Sequence, residues 1–239
     1  MFETVFPWTI SGLKSMTSQL ADYIIPPRCS LCLQPCRIGF CDKCQVLLPW
    51  KVTCCSRCGV TLPAAGICGQ CQKQPPPYGE TVVAFEYLDP IAHFIHLLKY
   101  HSQPVYATTL GTMLAIHAVK NCRVIPDALV PIPLYNRKLR QRGYNQAELV
   151  ADTVGRLLQI PVDKGLLQRV RNTHSQTSLE LTERRKNMHN AFAVIAAGRY
   201  DAVAVIDDVI TSGATMNAAC TALKLNDYKT ISAWSIAKT

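Results

Sequence analysis

Residues 203–215, with the sequence VAVIDDVITSGAT, decide the fold. The apolar run at 202–206 predicts a buried strand of a parallel sheet, because strands covered on both faces are almost continuously apolar. Asp207 and Asp208 are expected at the carboxyl end of this strand, where ligands bind in open α/β sheets. A helix predicted at 214–225 would place its N-terminus beside the two carboxylates.

The polar residues of this stretch suit the parts of a phosphorylated pentose. Paired carboxylates can accept hydrogen bonds from the 2′- and 3′-hydroxyl groups of a ribose. The following turn presents hydroxyls and backbone N–H groups at a helix N-terminus, which is a ready site for a phosphate dianion. Glycine at position 213 permits a tight turn and a close approach of the backbone. The candidate binding residues are Asp207, Asp208, Thr211, Ser212, Gly213, Ala214 and Thr215.

Strand and helix patterns alternate along the second part of the chain. Strands are predicted at 82–87, 128–133 and 230–236, and helices at 91–100, 106–120 and 145–158. Such alternation is typical of an α/β fold with a mostly parallel sheet. The proline-rich stretch at 74–77 indicates a stiff linker and a domain boundary. The predicted organisation is a helical lead at 1–27, a zinc-finger module with its linker at 28–77, and an α/β domain at 78–239.

Ten of the twelve cysteines lie between positions 28 and 73. Eight of them form four Cys-x-x-Cys pairs, and two thiolates at this spacing can both reach one zinc ion. Two pairs complete a tetrahedral site without an open position, so two structural zinc ions are expected. Sequential pairing of the motifs is favoured, and a cross-braced arrangement stays open. The predicted ligands are Cys29, Cys32, Cys41, Cys44, Cys55, Cys58, Cys68 and Cys71, and Cys36 and Cys54 lie close enough to substitute for one of them.

The choice of zinc over disulfides depends on the compartment. The N-terminus shows no signal-peptide pattern, and no later segment approaches the roughly 20 apolar residues that span a bilayer. We therefore expect a cytoplasmic protein with reduced thiols. A contact at the inner face of the membrane would have to come through a partner or the first helix, which is otherwise expected to pack on the body of the protein.

The charge of the chain favours an anionic partner. Its formal net charge is +9, and residues 28–73 contain a single acid, Asp42. One interpretation of the zinc module is structural: zinc stabilises a segment that is too small to build its own core. The other is a zinc ribbon that also contacts nucleic acid, with Trp50 as a stacking face. The two roles do not exclude each other.

Residues 203–215 resemble the phosphoribosyl-pyrophosphate (PRPP) signature of type I phosphoribosyltransferases, including the paired acids and the T-S/T-G-x-T end. Residues 130–147, with the segment Arg142-Gly143-Tyr144-Asn145-Gln146, resemble a signature of the ComF competence family of the ComFC and GntX type. Residues 169–187 and Leu98-Lys99-Tyr100 resemble two further signatures, and the four Cys-x-x-Cys pairs match the long form of that family.

The resemblance implies a type I phosphoribosyltransferase-like parallel sheet behind an N-terminal cysteine-rich zinc-ribbon module. It also implies PRPP together with Mg²⁺ as the ligand, a pyrophosphate-binding loop at about 131–142, and a second, mobile loop at about 171–176. The basic residues that it assigns to pyrophosphate or to DNA are Arg137, Arg140, Arg142 and Arg171.

Two functions follow from the resemblance. The first is the cytoplasmic handling of incoming single-stranded DNA in natural transformation, with DNA-uptake or recombination proteins as partners. Residues 137–186 contain eleven basic residues against five acidic ones, and this surplus could line a groove for a nucleic-acid backbone or form a solvated basic face. The second is transfer of phosphoribosyl from PRPP to a base or an amine. Only 24 residues follow Thr215, so a hood over such an acceptor would have to come from 78–127 or from the zinc module.

Overall fold

A four-stranded sheet forms the centre of the computed structural model, which describes residues 28–101, 103–170 and 191–239. The helical lead predicted at 1–27 and the loop predicted at 171–176 lie outside the described residues. All three strand pairings are parallel, which confirms the predicted α/β fold. In spatial order the strands are β1 (Glu80–Glu86), β6 (Thr230–Lys238), β5 (Ala202–Ile210) and β2 (Ala128–Pro131).

Helices cover both faces of the sheet, so its strands are buried on each side. The described helices are α1 (Asp42–Gln45), α2 (Gly69–Lys73), α3 (Ile91–Tyr100), α4 (Val105–Asn121), α5 (Asn136–Arg142), α6 (Gln146–Leu158) and α7 (Ala214–Lys224). One core joins α3, α4 and α6 to the first face. The other joins α7 and the two-stranded sheet of β3 (Leu167–Arg169) and β4 (Phe192–Val194) to the second face. Val82 and Ala84 point into the first core and Val83 into the second, because successive side chains of a strand alternate between faces.

The zinc module is docked on the β1 edge of the sheet. The backbone N–H of Lys51 donates to the Ala84 carbonyl at 2.8 Å, and the N–H of Glu86 donates to the Pro49 carbonyl at 2.8 Å. A short antiparallel segment therefore covers an edge that would otherwise expose unpaired backbone groups. The rings of Phe40 and Phe94, with centroids 5.5 Å apart, join the module to α3.

Trp50 and Lys51 are two residues of the module that contribute to its docking on β1. Trp50 lies against Phe85, with ring centroids 4.5 Å apart, and its indole N–H donates to the Gln45 carbonyl at 2.7 Å. Lys51 is 5% exposed and pairs with Glu86 at 2.6 Å. Trp50 is only partly buried, so its use as a stacking face for nucleic acid stays a prediction.

Two elements near the site differ from the sequence prediction. Strand β5 continues past residue 206 to Ile210, because β6 pairs with it up to the Ile210–Lys238 register. The paired acids thus lie within the strand. Part of the predicted pyrophosphate-binding loop, 136–142, is the helix α5 instead, which ends where Gly143 adopts the left-handed conformation at φ +79°. No helix of the described residues is long and apolar enough to cross a membrane.

Candidate ligand site and zinc centres

The cysteines form two groups of four. The sulfur atoms of Cys29, Cys32, Cys41 and Cys44 all lie within 4.8 Å of one another, and so do those of Cys55, Cys58, Cys68 and Cys71. The motifs thus pair sequentially, as the sequence favoured, and the structure does not have the cross-braced arrangement. Cys36 and Cys54 belong to neither group.

In each group, backbone donors favour the thiolate form of one cysteine, and the thiolate is the form that binds zinc. Burial opposes ionisation of Cys55, but N–H groups of Cys68, Cys58 and Arg57 outweigh it and lower its pKa to about 7. One of these donors, the Cys68 N–H, lies 3.3 Å from the Cys55 sulfur. The pKa of Cys29 is lowered to about 6 for the same reason. Four sulfur ligands and no open position fit a structural zinc ion in each group.

An ion pair occupies the edge of the sheet where the candidate ligand residues lie. Lys99, the penultimate residue of α3, places its Nζ 2.9 Å from Oδ1 of Asp208. Burial acts to lower the pKa of Lys99, but the charges of Asp208 and Asp207 outweigh it and raise the pKa above its ordinary value. The lysine is therefore fully charged at neutral pH and offsets part of the negative charge of the acid pair.

Three further cations lie near this ion pair or near one another. Burial lowers the pKa of Arg169, and the charge of Asp207 acts in the opposite direction. Burial also lowers the pKa of Lys138, as do the charges of Arg169, Arg142 and Lys99. Lys99 and Arg169 thus act on the carboxylates directly, and Lys138, with Arg142 near it, completes a cluster of four cations. Such an excess of positive charge suits a ligand that carries several phosphate charges.

Asp207 is the group of this site whose charge depends on pH near neutrality. Burial and the neighbouring charge of Asp208 raise its pKa to about 7, although Lys99 and Arg169 act in the opposite direction. Its Oδ1 accepts the backbone N–H of Asp208 at 2.9 Å. A carboxyl that is partly protonated at pH 7 can both donate to and accept from a hydroxyl pair.

The turn after β5 has the geometry of an anion site. Gly213 adopts φ +76° at the N-cap of α7, a left-handed conformation that favours glycine. The first N–H groups of α7 have no partner within the helix, so they can donate to an anion. Lys238 stabilises the turn, because its Nζ donates to the Thr211 carbonyl at 2.9 Å.

The segment around Gly143 holds the end of α3 against the strand β2. The guanidinium of Arg142 lies over the ring of Tyr100 at 5.2 Å, and the Tyr144 hydroxyl donates to the Leu98 carbonyl at 2.6 Å. Asn145 donates to the Ile132 carbonyl at 3.0 Å and accepts the Ala147 N–H at 3.1 Å, which caps α6. These contacts position Lys99. They also tie the Tyr144 hydroxyl to the backbone of α3.

The predicted site residues are only partly brought together. Arg142 joins the cation cluster, whereas Arg137 and Arg140 are exposed on α5, and Arg171 lies outside the described residues. Sequence reasoning assigned no site role to Lys99, Lys138 or Arg169. The sequence did point to Lys99, because it follows the buried Leu98 and is the single Lys or Arg of its helix.

Comparisons with known proteins agree with this architecture. Residues 20–72 match the double zinc ribbon domain family. The chain is 34% identical to Competence protein F of Haemophilus influenzae over 179 residues, which are 72% of this chain and 78% of that protein. It is 29% identical to DNA utilization protein YhgH of Escherichia coli O157:H7 over 227 residues, covering 90% of this chain and 98% of that protein. The corresponding protein of Salmonella typhimurium is 30% identical, with the same two shares. The chain therefore belongs to the ComF family.

Proposed function

We propose that this protein handles single-stranded DNA during DNA uptake and that residues 207–215 bind PRPP or a related phosphoribosyl ligand. The names of its relatives, Competence protein F and DNA utilization protein, support the role in DNA uptake. One observation carries the ligand proposal. Lys99 pairs with Asp208 and Arg169 acts on Asp207, with Lys138 and Arg142 close to these cations, and the two acids lie in β5 just before the turn that opens α7.

Each part of this site has a role in the proposal. Asp207 and Asp208 accept hydrogen bonds from the ribose hydroxyls, and the turn 211–215 holds the 5′-phosphate. Lys99 orients Asp208 through their 2.9 Å ion pair, so that one carboxylate is in place before the ligand arrives. The other cations of the cluster offset the charge of a pyrophosphate group. Bound Mg²⁺ would supply further positive charge to that group.

The ligand proposal is tested by calorimetric titration of the full-length, zinc-loaded chain with Mg²⁺–PRPP. The double variant Asp207→Asn with Asp208→Asn should lose most of the affinity, because it removes the ionised acceptors of the diol. A matched control is Asp201→Asn, which changes an exposed acid just before β5. Unchanged binding by the double variant would mean that the ligand lies elsewhere.

The DNA proposal is tested by binding of a single-stranded oligonucleotide at several salt concentrations. The logarithm of the affinity should fall linearly with the logarithm of the salt concentration, because contacts to phosphates release counterions. Arg140→Ala with Arg142→Ala should reduce both the affinity and this slope. Arg156→Ala, an exposed arginine on α6, is the control. An affinity that is absent or independent of salt contradicts the proposal.

A second candidate function is phosphoribosyl transfer from PRPP to a base or an amine. It is favoured by the acid pair and the anion-binding turn, which together provide the groups that such a reaction needs on the PRPP side. Release of pyrophosphate from Mg²⁺–PRPP should then require one acceptor from a panel of bases and amines. It should also disappear in the double variant of Asp207 and Asp208. Binding of PRPP and DNA without release of pyrophosphate would support the first function and contradict the second.

A further inference from the structure

The carboxyl end of α3 carries three aromatic rings on the surface of the protein. Tyr100, the last residue of the helix, is 64% exposed, and its ring centroid lies 4.9 Å from that of His96. His101 follows the helix directly and places its ring centroid 5.2 Å from that of His96. Both histidines are exposed. Single large side chains on a surface are common, but these three rings are neighbours and form one aromatic surface.

This aromatic surface is separate from the candidate ligand site. Positions four apart share a face of a helix, whereas successive positions are turned by about 100°. Lys99 continues the face on which Ile95 is buried, and from there it reaches Asp208. His96 and Tyr100 share the next face, which is exposed. The rings therefore point to solvent and not to the acid pair, although they lie on the same helix as Lys99.

The faces of these rings are partly open for stacking. The ring planes of His96 and Tyr100 are tilted by 43°, and those of His96 and His101 by 47°, so no ring covers its neighbour face to face. The guanidinium of Arg142 lies 5.2 Å from the centroid of the Tyr100 ring and adds a second planar group to the surface. Unpaired bases stack both on aromatic rings and on guanidinium planes, and every base has a face that can do so.

Positive charge continues from the rings along α5. Arg142 is the last residue of this helix, and Arg137 and Arg140 of the same helix are exposed. Residues 91–147, which contain both helices, include one acid, Asp127, which directly precedes β2 and so lies at the opposite, amino end of the sheet. An acidic protein segment would use these charges but not the rings, and a duplex keeps its bases stacked inside. Rings and cations together therefore favour a polyanion with unpaired bases.

We infer that His96, Tyr100 and His101 form a stacking platform for single-stranded DNA, with the arginines of α5 beside it. Successive unpaired bases stack on the rings, while the phosphates of the same strand pair with Arg137 and Arg140. The inference rests on the proposed handling of single-stranded DNA and assigns a surface to it. Stacking uses the face of a base and not its hydrogen-bonding edge, so the platform binds a strand irrespective of its sequence.

The experiment compares a thymidine oligonucleotide with an abasic oligonucleotide of equal length, each bound to the full-length, zinc-loaded chain and measured by fluorescence anisotropy. The readout is the ratio of the two affinities, which reports the bases alone because both strands carry the same phosphates. Tyr100→Leu should reduce this ratio by about tenfold, the effect of one stacked base. Tyr100→Phe, which keeps the ring, is the matched control and should preserve the ratio within about twofold.

Two double variants separate the rings from the charges. His96→Leu with His101→Leu should lower the ratio as Tyr100→Leu does, because it removes the other two rings. Arg137→Ala with Arg140→Ala should weaken the binding of both oligonucleotides by the same factor and leave the ratio unchanged, because phosphate contacts do not depend on the bases. All of these side chains are at least partly exposed, so their replacement should not unfold the protein.

The outcomes separate the platform from the proposed function. Equal affinity of the wild type for the two oligonucleotides overturns the platform and leaves DNA handling in place. A preference for bases that survives in the Tyr100 and histidine variants also overturns it, because the bases then stack elsewhere. A polyglutamate peptide that binds as tightly as the thymidine strand would identify an acidic protein segment as the occupant instead. Absence of any binding to either strand overturns both the platform and the proposed DNA handling.

Discussion

The two zinc ribbons share their ligand chemistry and differ in what they contact. In the first ribbon, Cys29 and Cys44 are buried in the same core as Phe40 and the helices α3 and α4. A side chain at Gly39 would overlap Thr109 of α4, so the backbone there lies against the helix. The second ribbon is attached to β1, where the Thr81 N–H donates to the Ser56 carbonyl at 3.0 Å, and it also borders an open cleft beside the anion-binding turn. The same kind of metal site therefore packs into the helical core in one ribbon and lines a cleft in the other.

The largest difference is expected between Cys44→Ser and Cys71→Ser. Each removes one ligand, so each should reduce the zinc content from two ions to one, as measured by metal analysis. Unfolding of the first ribbon also removes Phe40 from the core, which should cost more than about 3 kcal/mol. The second variant should keep most of its thermal stability. Equal losses of stability would show that both ribbons fasten the module.

A smaller difference is expected from apolar truncations that leave the cysteines intact. Phe40→Ala should reduce the free energy of unfolding by about 3–5 kcal/mol, because Phe40 is fully buried against Phe94. Val60→Ala, in the second ribbon, should change it by no more than about 0.5 kcal/mol, since this side chain is 37% exposed. Denaturant unfolding measures both. A large effect at Val60 would contradict the proposed division of roles.

The first ribbon can influence the ligand site through α3, which carries both Phe94 and Lys99. Ionised Asp207 accepts hydrogen bonds from a ribose diol better than the protonated form does, so binding of ribose 5-phosphate should strengthen as pH rises through about 7. Lys99 holds the pKa of Asp207 down, so Lys99→Met should move this rise to higher pH. It should also weaken binding at pH 7 by about tenfold, the loss of one charged hydrogen-bond partner.

Calorimetry between pH 5.5 and 8.5, with inorganic phosphate as a second probe, distinguishes this effect from ionisation of the ligand phosphate. The phosphate probe should show no shift between the wild type and the Lys99 variant. A pH midpoint that does not move, or that moves equally for both probes, would contradict the role of Lys99.

The smallest effect is expected from single lysines of the two ribbons. Lys73 borders the cleft, whereas Lys43 lies in the first ribbon, away from it. Lys73→Ala should reduce the salt slope of single-stranded DNA binding by about one, the release of one counterion. Lys43→Ala should leave it unchanged. Fluorescence anisotropy across a salt series measures both, and equal slopes would mean that DNA does not pass the second ribbon.

Local patterns in the sequence were sufficient for the parallel sheet and for the zinc tetrads. Each tetrad is built from two neighbouring motifs, and the first part of β5, residues 202–206, is continuously apolar. The helix α5 was missed because Asn136–Arg142 contains a single apolar residue, Leu139, and so has no apolar stripe. The extent of β5 was missed because two acids interrupt the apolar run, although β6 pairs with the backbone beyond them.

The contacts that define the site could not be predicted in the same way. Lys99 and Asp208 lie far apart in the chain and meet because α3 and β5 end at the same edge of the sheet. The cleft depends on how the second ribbon sits against α7, which no motif specifies. Composition suggested an excess of cations, but it could not distinguish the clustered Arg142 from the exposed Arg140.

The order of the strands has a consequence for the folding kinetics. The ligands of each zinc ion lie close together in the chain, from position 29 to 44 and from 55 to 71. In contrast, β1 pairs with β6 between positions 80 and 232. Contacts between nearby residues form faster, because less chain entropy is lost in closing the loop. We therefore expect the metal centres to form first. The β1 edge of the sheet, on which they are docked, should form only after β6 has been synthesised and paired. Folding should then begin only when zinc is available.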